Sequence, residues 1–362
     1  MSPVALGVTP PLPPDAWLRR SVAGLPFPLA GASRLHAQAR AALHGGLRSL
    51  GLGPGDEALL PAYHHGSEVE AYVRAGITVR FMDLEPGRPP DTALIDRIAT
   101  PATRAVHMIH YLGLAEPVDQ WRALADERGW LLVEDVAQGW LGHAEGRPLG
   151  STGDIALFSV YKSVGVPDGG VAIVRGERVT PTGSPALGLV AAARRHAVYL
   201  AGRNARLGTL RSRRAGARRY DLERDMDLGD PERPAARVTV PLLRRLAVDD
   251  VADRRAATYA RLAAELDPWV AAPWNRDPAR ASPFALPVRV RNKAAVLAAL
   301  RAAGIGAVDL WSIPHPALVP GEHPRATERR ARTVLLPVHQ ELRPVDVEHI
   351  AAVARRVLAD DS

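Results

Sequence analysis

Apolar residues follow two different periods along the chain, one typical of helices and one typical of buried strands. From Leu35 to Leu50 they recur at helical spacing, and the glycine-rich segment 51–55 ends this helix. Short apolar runs then alternate with helical patterns, which predicts strands at 57–63, 78–82, 105–110, 130–134, 154–160 and 170–174, and helical segments at 67–74, 95–98 and 119–128. This alternation predicts a mostly parallel sheet with helices on both faces.

The pattern changes near residue 240. A helical period runs from about 241 to 266, and it is followed by a strand at 284–290, a helix at 294–303, another strand after Gly304 and a last helix at 345–358. We therefore predict a large α/β domain of residues 1–240 and a smaller C-terminal α/β domain of residues 241–362.

The composition narrows the chemistry. The chain has 362 residues and no cysteine, which excludes disulfides, thiolate nucleophiles and cysteine-ligated zinc. The histidines have no spacing typical of metal ligands, so we predict no metal site. No apolar stretch approaches the roughly 20 residues of a membrane helix. The first residues lack the pattern of a signal peptide, so we expect a cytoplasmic protein.

The net charge of +7 raises the question of a nucleic-acid partner. Seven arginines lie between residues 203 and 219, but no aromatic residue suited to base stacking lies between them. No recognised nucleic-acid motif is present either. We expect this segment to be a solvated face, a mobile loop or a clamp for a substrate diphosphate, and we predict no nucleic-acid partner.

Lysine is scarce in this chain. Of 46 basic residues, only Lys162 and Lys293 are lysines. Arginine stays protonated, whereas lysine can lose its proton and attack a carbonyl group. Lys293 lies just before a helix with no acid-tipped strand near it, and we expect a solvated helix start. Lys162 lies in a tight loop after a strand, followed by Gly169 and Gly170, which suits a Schiff-base lysine; a surface lysine in a hairpin turn is the alternative.

Asp135 ends a buried strand, where open α/β sheets bind ligands. A carboxylate there could face the pyridine nitrogen of pyridoxal phosphate (PLP) and keep it protonated, so that the ring withdraws electrons. The alternative is that Asp135 caps a following helix. His110 also ends a strand and could line the same pocket.

Two segments suit the phosphate of such a cofactor. The segment Gln38-Ala39-Arg40 begins a helix, whose free N–H groups and dipole attract phosphate, and Arg40 adds a charge. Ser159 could donate a hydrogen bond to the same group. An ordinary exposed arginine is the alternative for Arg40.

Together these segments resemble the DegT/DnrJ/StrS family of PLP-dependent sugar aminotransferases, which have the aspartate-aminotransferase (type I) fold. The resemblance is carried by GLGPGDEALLPAYHHGSEVEAYVRAG, by RAVHMIHYLG, by VEDVAQGWLGHAEGRPLGSTGDIALFSVYKSVGVPDGG and, more faintly, by TVLLPVHQELRPVDVEHI. It implies that Lys162 forms the internal aldimine and later carries protons, and that Asp135 pairs with the pyridine nitrogen.

The resemblance also implies roles for the flanking residues. Gln138 would contact the ring hydroxyl or stack nearby, His65 would stack on the ring, and Ser159 would bind phosphate. The family's Ser-Gly-Thr phosphate cradle is replaced here by residues 38–40, so Ala39 and Arg40 take that role by inference.

The function implied is transfer of an amino group from an amino acid, often glutamate, to a keto-sugar that is usually nucleotide-linked. A homodimer follows from the same resemblance. Two alternatives stay open: a PLP-dependent lyase or dehydratase on the same scaffold, and a non-catalytic or regulatory protein on a degenerate aminotransferase fold.

Overall fold

The computed structural model describes residues 6–203, 225–246 and 250–361. Its strands are β1 (Leu6–Gly7), β2 (Glu57–Pro61), β3 (Thr78–Met82), β4 (Thr103–Ile109), β5 (Leu131–Asp135), β6 (His143–Ala144), β7 (Arg147–Pro148), β8 (Ile155–Ser159), β9 (Gly170–Val174), β10 (Glu177–Arg178), β11 (Ala285–Arg289), β12 (Ile305–Gly306), β13 (Val308–Asp309) and β14 (Thr333–Pro337). Its α-helices are α1 (Ala39–Ser49), α2 (Ser67–Arg74), α3 (Thr92–Ile98), α4 (Val118–Arg128), α5 (Leu189–Arg203), α6 (Thr239–Leu246), α7 (Val251–Glu265), α8 (Lys293–Ala302), α9 (Pro324–Arg332) and α10 (Pro344–Asp360).

The larger sheet has seven strands in the order β10-β9-β8-β5-β4-β2-β3. Five of these strands run parallel to one another: β8, β5, β4, β2 and β3. At one edge of the sheet, β9 is antiparallel to β8, and β10 is antiparallel to β9. Strand β8 is buried along its whole length, which explains why it is an uninterrupted apolar run. The predicted mostly parallel sheet is therefore confirmed.

Side chains alternate between the two faces of this sheet. Leu60 and Val133 belong to the core cluster that includes residues of α1 and α2, whereas Leu59 and Leu132 pack with Trp121 of α4. Because neighbouring residues of a strand point to opposite faces, the helices cover both faces of the sheet. This layering leaves the carboxyl ends of the strands as the open edge.

A second, antiparallel sheet has the order β11-β14-β13. Helices α8 and α10 pack together beside it, and α7 leads into it along the chain. The two residues of β1 pair in parallel with β12, so the start of the described chain lies against its C-terminal part.

Two predicted elements were wrong in detail. The helical period at 241–266 is divided between α6 and α7 in the structure, and the single strand expected after Gly304 is the pair β12 and β13. Strand β10 and helices α5 and α9 were not predicted. The arginine-rich segment 203–219 lies outside the described residues except for the backbone of Arg203 at the end of α5. Within the described ranges, no helix has the length and apolar composition needed to cross a bilayer.

Candidate active site

A cavity of about 1070 Å³ opens at the carboxyl ends of the parallel strands. Seven of the residues predicted from the sequence line its wall, together with side chains from the region of the second sheet; the seven are Ala39, Arg40, His65, Asp135, Gln138, Ser159 and Lys162. The volume is at the upper end of the range for small-molecule sites. The structure therefore brings the predicted residues together at one place.

Lys162 lies where β8 ends. A short 3-10 turn, Val160–Lys162, follows the strand and turns the half-buried lysine into the cavity wall. Its ammonium nitrogen lies 6.0 Å from the centre of the Phe284 ring, which comes from the segment before β11. The loop does join the antiparallel pair β8 and β9, as the hairpin alternative expected, but Lys162 lines the cavity and is not a free surface lysine.

Asp135 lies at the end of β5, beside β4 and β8. Its Oδ1 accepts a hydrogen bond of 2.7 Å from the N–H of Ala137, and its Oδ2 lies 3.5 Å from Nε2 of His107. Nδ1 of His107 in turn lies 3.0 Å from the hydroxyl of Tyr72, so two buried side chains stand behind the carboxylate. The residues after Asp135 form turns, so the alternative of a helix cap is wrong.

The surroundings of Asp135 favour its charged form. Burial alone would raise the pKa of this carboxyl, but the neighbouring imidazole of His107, the hydrogen bond from the N–H of Ala137 and the charge of Lys162 outweigh it and hold the pKa below its usual value. Asp135 is therefore a carboxylate at neutral pH, and the positive charge of Lys162 contributes to that state.

The N-terminus of α1 forms another part of the wall. Gln38 precedes the helix without a side-chain cap, and the guanidinium of Arg40 donates to Gln38 Oε1 at 2.6 Å and to the carbonyl of Asp225 at 2.7 Å. Behind this turn, a Cβ on Gly170 would lie only 2.1 Å from the carbonyl carbon of Gln38 and 2.2 Å from the nitrogen of Ala39. Only glycine permits β9 to support the helix start so closely.

The side chains of Ser159 and Tyr161 form a hydrogen bond close to Lys162 in the chain. Burial alone would raise the pKa of the Tyr161 phenol, but the charge of Lys162, a hydrogen bond with Ser159 and the charges of Arg195 and Arg40 together hold it below its usual value. The guanidinium carbon of Arg195 lies 5.5 Å from the centre of the Tyr161 ring. The hydroxyl of Ser159 is thus already engaged by a neighbour within the protein.

Gln138 and His65 form two further parts of the cavity wall. Oε1 of Gln138 accepts a 2.8 Å hydrogen bond from the N–H of Leu112, which fixes the orientation of the amide. Nδ1 of His65 lies 3.4 Å from the N–H of Ser67. Burial, followed by the charges of Lys162 and Arg40, lowers the pKa of His65 to about 3, so its ring is neutral near pH 7.

Two expectations about neighbouring residues were wrong. His110 does not line the cavity: it is fully buried, its Nδ1 accepts from the N–H of Glu116 at 2.9 Å, and its Nε2 lies 2.9 Å from Glu134 Oε1. Lys293 is not a solvated helix start, because its side chain is only 12% exposed and pairs with Asp309. Asp309 lies in strand β13, outside helix α8 that Lys293 begins, so the local sequence around Lys293 does not reveal its partner.

The cavity extends toward the second sheet along residues that the sequence did not single out. Arg301, Asp309 and Ser312 provide polar groups there, and Trp311 provides a large ring. Trp311 has a left-handed backbone conformation (φ 53°), which is unfavourable for a bulky residue, and its carbonyl accepts a 2.6 Å hydrogen bond from Arg330. A constrained residue of this kind is common in ligand sites.

Comparison with known proteins gives a family match and several relatives. Residues 36–209 match the model of the DegT/DnrJ/EryC1/StrS aminotransferase family. A dTDP-3-amino-3,4,6-trideoxy-alpha-D-glucose transaminase of Streptomyces venezuelae is 35% identical over 139 residues, which are 38% of this chain and 37% of that protein. A UDP-N-acetyl-3-dehydro-alpha-D-glucosamine 3-aminotransferase of Acidithiobacillus ferrooxidans is 35% identical over 131 residues, 35% of this chain and 36% of that protein. The matched segment thus spans little more than a third of these curated relatives.

Solved structures resemble a larger part of the chain. The protein Spr1654 of Streptococcus pneumoniae in its PMP form has a TM-score of 0.70 at 17% identity and covers 99% of this chain and 100% of its own. The aminotransferase TlmJ of Streptoalloteichus hindustanus has a TM-score of 0.64 at 23% identity, covering 91% of this chain and 86% of its own. These similarities confirm the predicted fold class, an α/β aminotransferase fold with a mostly parallel central sheet.

Proposed function

We propose that this protein is an aminotransferase that acts on a keto-sugar, because residues 36–209 match the model of the DegT/DnrJ/EryC1/StrS aminotransferase family, whose members depend on PLP. The observation that carries the proposal is the placement of Lys162 and Asp135 in the wall of one cavity at the open edge of the sheet. An amine and a carboxylate in such a cavity are the two groups that this cofactor requires from a protein.

The remaining wall fits the cofactor as well. The first turn of α1 presents backbone N–H groups without a side-chain cap, and Arg40 adds a positive charge, so a phosphate group suits this end of the cavity. Gly170 supports that turn at a distance that no Cβ would allow. We propose that Ala39 and Arg40 replace the usual hydroxyl cradle and that Ser159, which also lines the cavity, donates a hydrogen bond to the same phosphate.

When bound, PLP supplies an aldehyde carbon that reacts with amines and a ring that withdraws electrons once its nitrogen is protonated. Lys162 provides the amine that holds the cofactor, and its Nζ then accepts and returns the proton that moves during amino transfer. Asp135 holds a proton at the ring nitrogen, and His107 and Ala137 keep that carboxylate charged and in place. The neutral ring of His65 offers a flat face for stacking, and Gln138 orients the ring substituents.

We propose a nucleotide-linked keto-sugar as the acceptor and glutamate as the donor. Two curated relatives carry names that specify dTDP- and UDP-linked amino sugars, which supports this choice of acceptor class. The part of the cavity near the second sheet offers Arg301 for a phosphate group, and Asp309 and Ser312 for sugar hydroxyls. The division into domains at residue 240 and a cytoplasmic location also stay proposals.

We further propose that two copies of the chain associate. Leu189 and Leu200 lie on the same face of α5, eleven residues apart, and are 52% and 55% exposed. Leu187 and Val190 beside them are also more than half exposed. A cluster of exposed apolar side chains is typical of a protein–protein contact.

The direct test is amino transfer in solution. The protein loaded with PLP is incubated with glutamate, and the release of 2-oxoglutarate is followed with and without dTDP- and UDP-linked keto-sugars. The proposal predicts one turnover without an acceptor and many turnovers with a suitable one. Release of ammonia or loss of water from the sugar would indicate a lyase or dehydratase instead. A protein that stays colourless with PLP would favour the non-catalytic alternative.

A further inference from the structure

The guanidinium of Arg255 is buried beside the loop that carries Lys162. Arg255 lies on α7, its side chain is 0% exposed, and it is not part of the cavity wall. In the part of the chain that the structure describes, no carboxylate pairs with it, and burial lowers the pKa of Arg255 to about 9. It is still charged near pH 7, and a buried charge without a counter-ion destabilises a fold unless its donors are well satisfied.

The donors of Arg255 are satisfied by groups from three separate segments. Its Nε donates to the carbonyl of Pro283 at 2.7 Å, and its Nη1 donates to the carbonyl of Ser163 at 2.9 Å and to Oε1 of Gln340 at 3.2 Å. The amide nitrogen of Gln340 donates to the same Ser163 carbonyl at 3.1 Å. Arg255 therefore joins the lysine loop, the segment before β11 and the segment after β14.

Two of these contacts lie next to cavity residues. Ser163 directly follows Lys162, and Pro283 directly precedes Phe284, whose ring lies 6.0 Å from the lysine nitrogen. The guanidinium of Arg255 thus holds the backbone next to Lys162. It also holds the backbone next to Phe284, whose ring the lysine nitrogen approaches. Without Arg255 the Ser163 carbonyl keeps the donor that Gln340 supplies, whereas the Pro283 carbonyl loses the hydrogen bond from Arg255 at a cost of about 1–3 kcal/mol.

We propose that Arg255, assisted by Gln340, is a positioning residue that holds the Lys162 amine in the cavity. It acts through the Ser163 and Pro283 carbonyls and contacts neither cofactor nor substrate. This inference rests on the proposed function, because it gives Arg255 a purpose only if Lys162 is the reactive amine. It also accounts for a buried guanidinium that pairs with no carboxylate of the described residues.

The test separates reaction at Lys162 from binding in the cavity. The cofactor-free protein and its Arg255→Met variant are mixed with PLP and treated with borohydride at timed intervals. The lysine nitrogen bonds to the aldehyde carbon with loss of water, and hydride reduces the resulting C=N bond to a stable amine that mass spectrometry locates. We expect labelling of Lys162 to be about 10- to 100-fold slower in the variant, because a small displacement of a reacting group has effects of that size.

Pyridoxamine phosphate supplies the second readout, because it cannot bond to a lysine. We expect Arg255→Met to leave its Kd unchanged, since Arg255 lies outside the cavity wall. Arg261→Met on the exposed side of the same helix is the matched control, and it should label at the wild-type rate. Gln340→Leu, which leaves Arg255 in place, should slow labelling to a smaller extent and supports the test if Arg255→Met does not fold.

The outcomes distinguish failure of the positioning role of Arg255 from failure of the proposed function. Equal labelling rates in the wild type, in Arg255→Met and in Gln340→Leu would overturn the positioning role while leaving the proposed function intact. Loss of pyridoxamine phosphate binding in parallel with slower labelling would show a general structural role and would also overturn it. A wild-type protein that is never labelled at Lys162 would overturn the proposed function, and this inference with it.

Discussion

At the scale of single residues, the roles of neighbouring carboxyl groups are set by what each one faces. Asp135 lines the cavity, whereas Glu134 accepts hydrogen bonds of 2.6 Å from the N–H of Gly150 and 2.9 Å from that of Gly153. The two are adjacent in sequence, but alternation along β5 points them to opposite faces of the sheet. Only Asp135 is therefore available to a ligand.

Asp135→Asn should lower the rate of amino transfer from glutamate by about 100-fold or more, since removal of one preorganised electrostatic partner has effects of that order. Circular dichroism should stay that of the folded protein. The matched variant Glu134→Gln should lower the unfolding temperature more than Asp135→Asn, because Glu134 holds the 150–153 turn. An Asp135→Asn enzyme with wild-type kcat would contradict the role given to this carboxylate.

His65 gives a pH dependence whose sign follows from its pKa. The folded protein binds this proton only near pH 3, whereas an unfolded chain binds it near pH 6.5, so falling pH between those values favours unfolding. His65→Phe should therefore flatten the rise of stability with pH by at most about 1.4 kcal/mol per pH unit in this window. Urea unfolding of both proteins at several pH values measures the difference. Identical slopes would contradict the neutral state of the ring.

The sequence revealed Lys162 and concealed Arg255 for the same reason. Because the chain has only two lysines, each of them is a candidate for a specific role, whereas one arginine among 44 is not distinguished by its type. Scarcity of lysine does not by itself identify a reactive amine, because Lys293 forms an ion pair with Asp309 that only the folded chain reveals. Apart from Gln340, which lies 85 residues away, the partners of Arg255 are backbone carbonyls, and these leave no mark in the sequence.

At the scale of elements, the contact between β9 and the start of α1 is the most constrained part of the site. Gly170→Ala would place a Cβ about 2.1 Å from the Gln38 backbone, so the strand and the helix would have to separate. We expect a loss of more than about 2 kcal/mol of unfolding free energy and weaker binding of PLP. Gly24→Ala, whose Cβ meets nothing within 4 Å, is the control. Wild-type stability in Gly170→Ala would contradict this account of the cradle.

The elements that the sequence predicted well are those with a strong period. Strands such as β3 and β9 and helix α2 were predicted with the bounds that the structure gives them. The turn at Asp250, just before α7, was missed because the apolar period continues across it. Short strands such as β12 and β13 are stabilised by partners far along the chain, which a local pattern does not contain.

At the scale of the whole molecule, the proposed association of two copies makes a prediction about α5. Leu189→Glu combined with Leu200→Glu places charges on the exposed apolar face and should lower the average mass measured by light scattering to that of one chain. Unfolding temperature should change little, because both residues are more than half exposed. A wild-type protein that is a monomer at micromolar concentration would contradict the association.

The proposed function requires the amine of Lys162 to bond to the cofactor in the cavity that Asp135 also lines, and chemical trapping of that bond decides whether it does. The wild-type protein is equilibrated with PLP, reduced with borohydride and digested, and the modified peptide is identified by mass spectrometry. The account predicts a single modification on the peptide that contains Lys162, with an absorption band in the visible region that disappears on reduction. Modification of Lys293 instead, or of neither lysine, would contradict it.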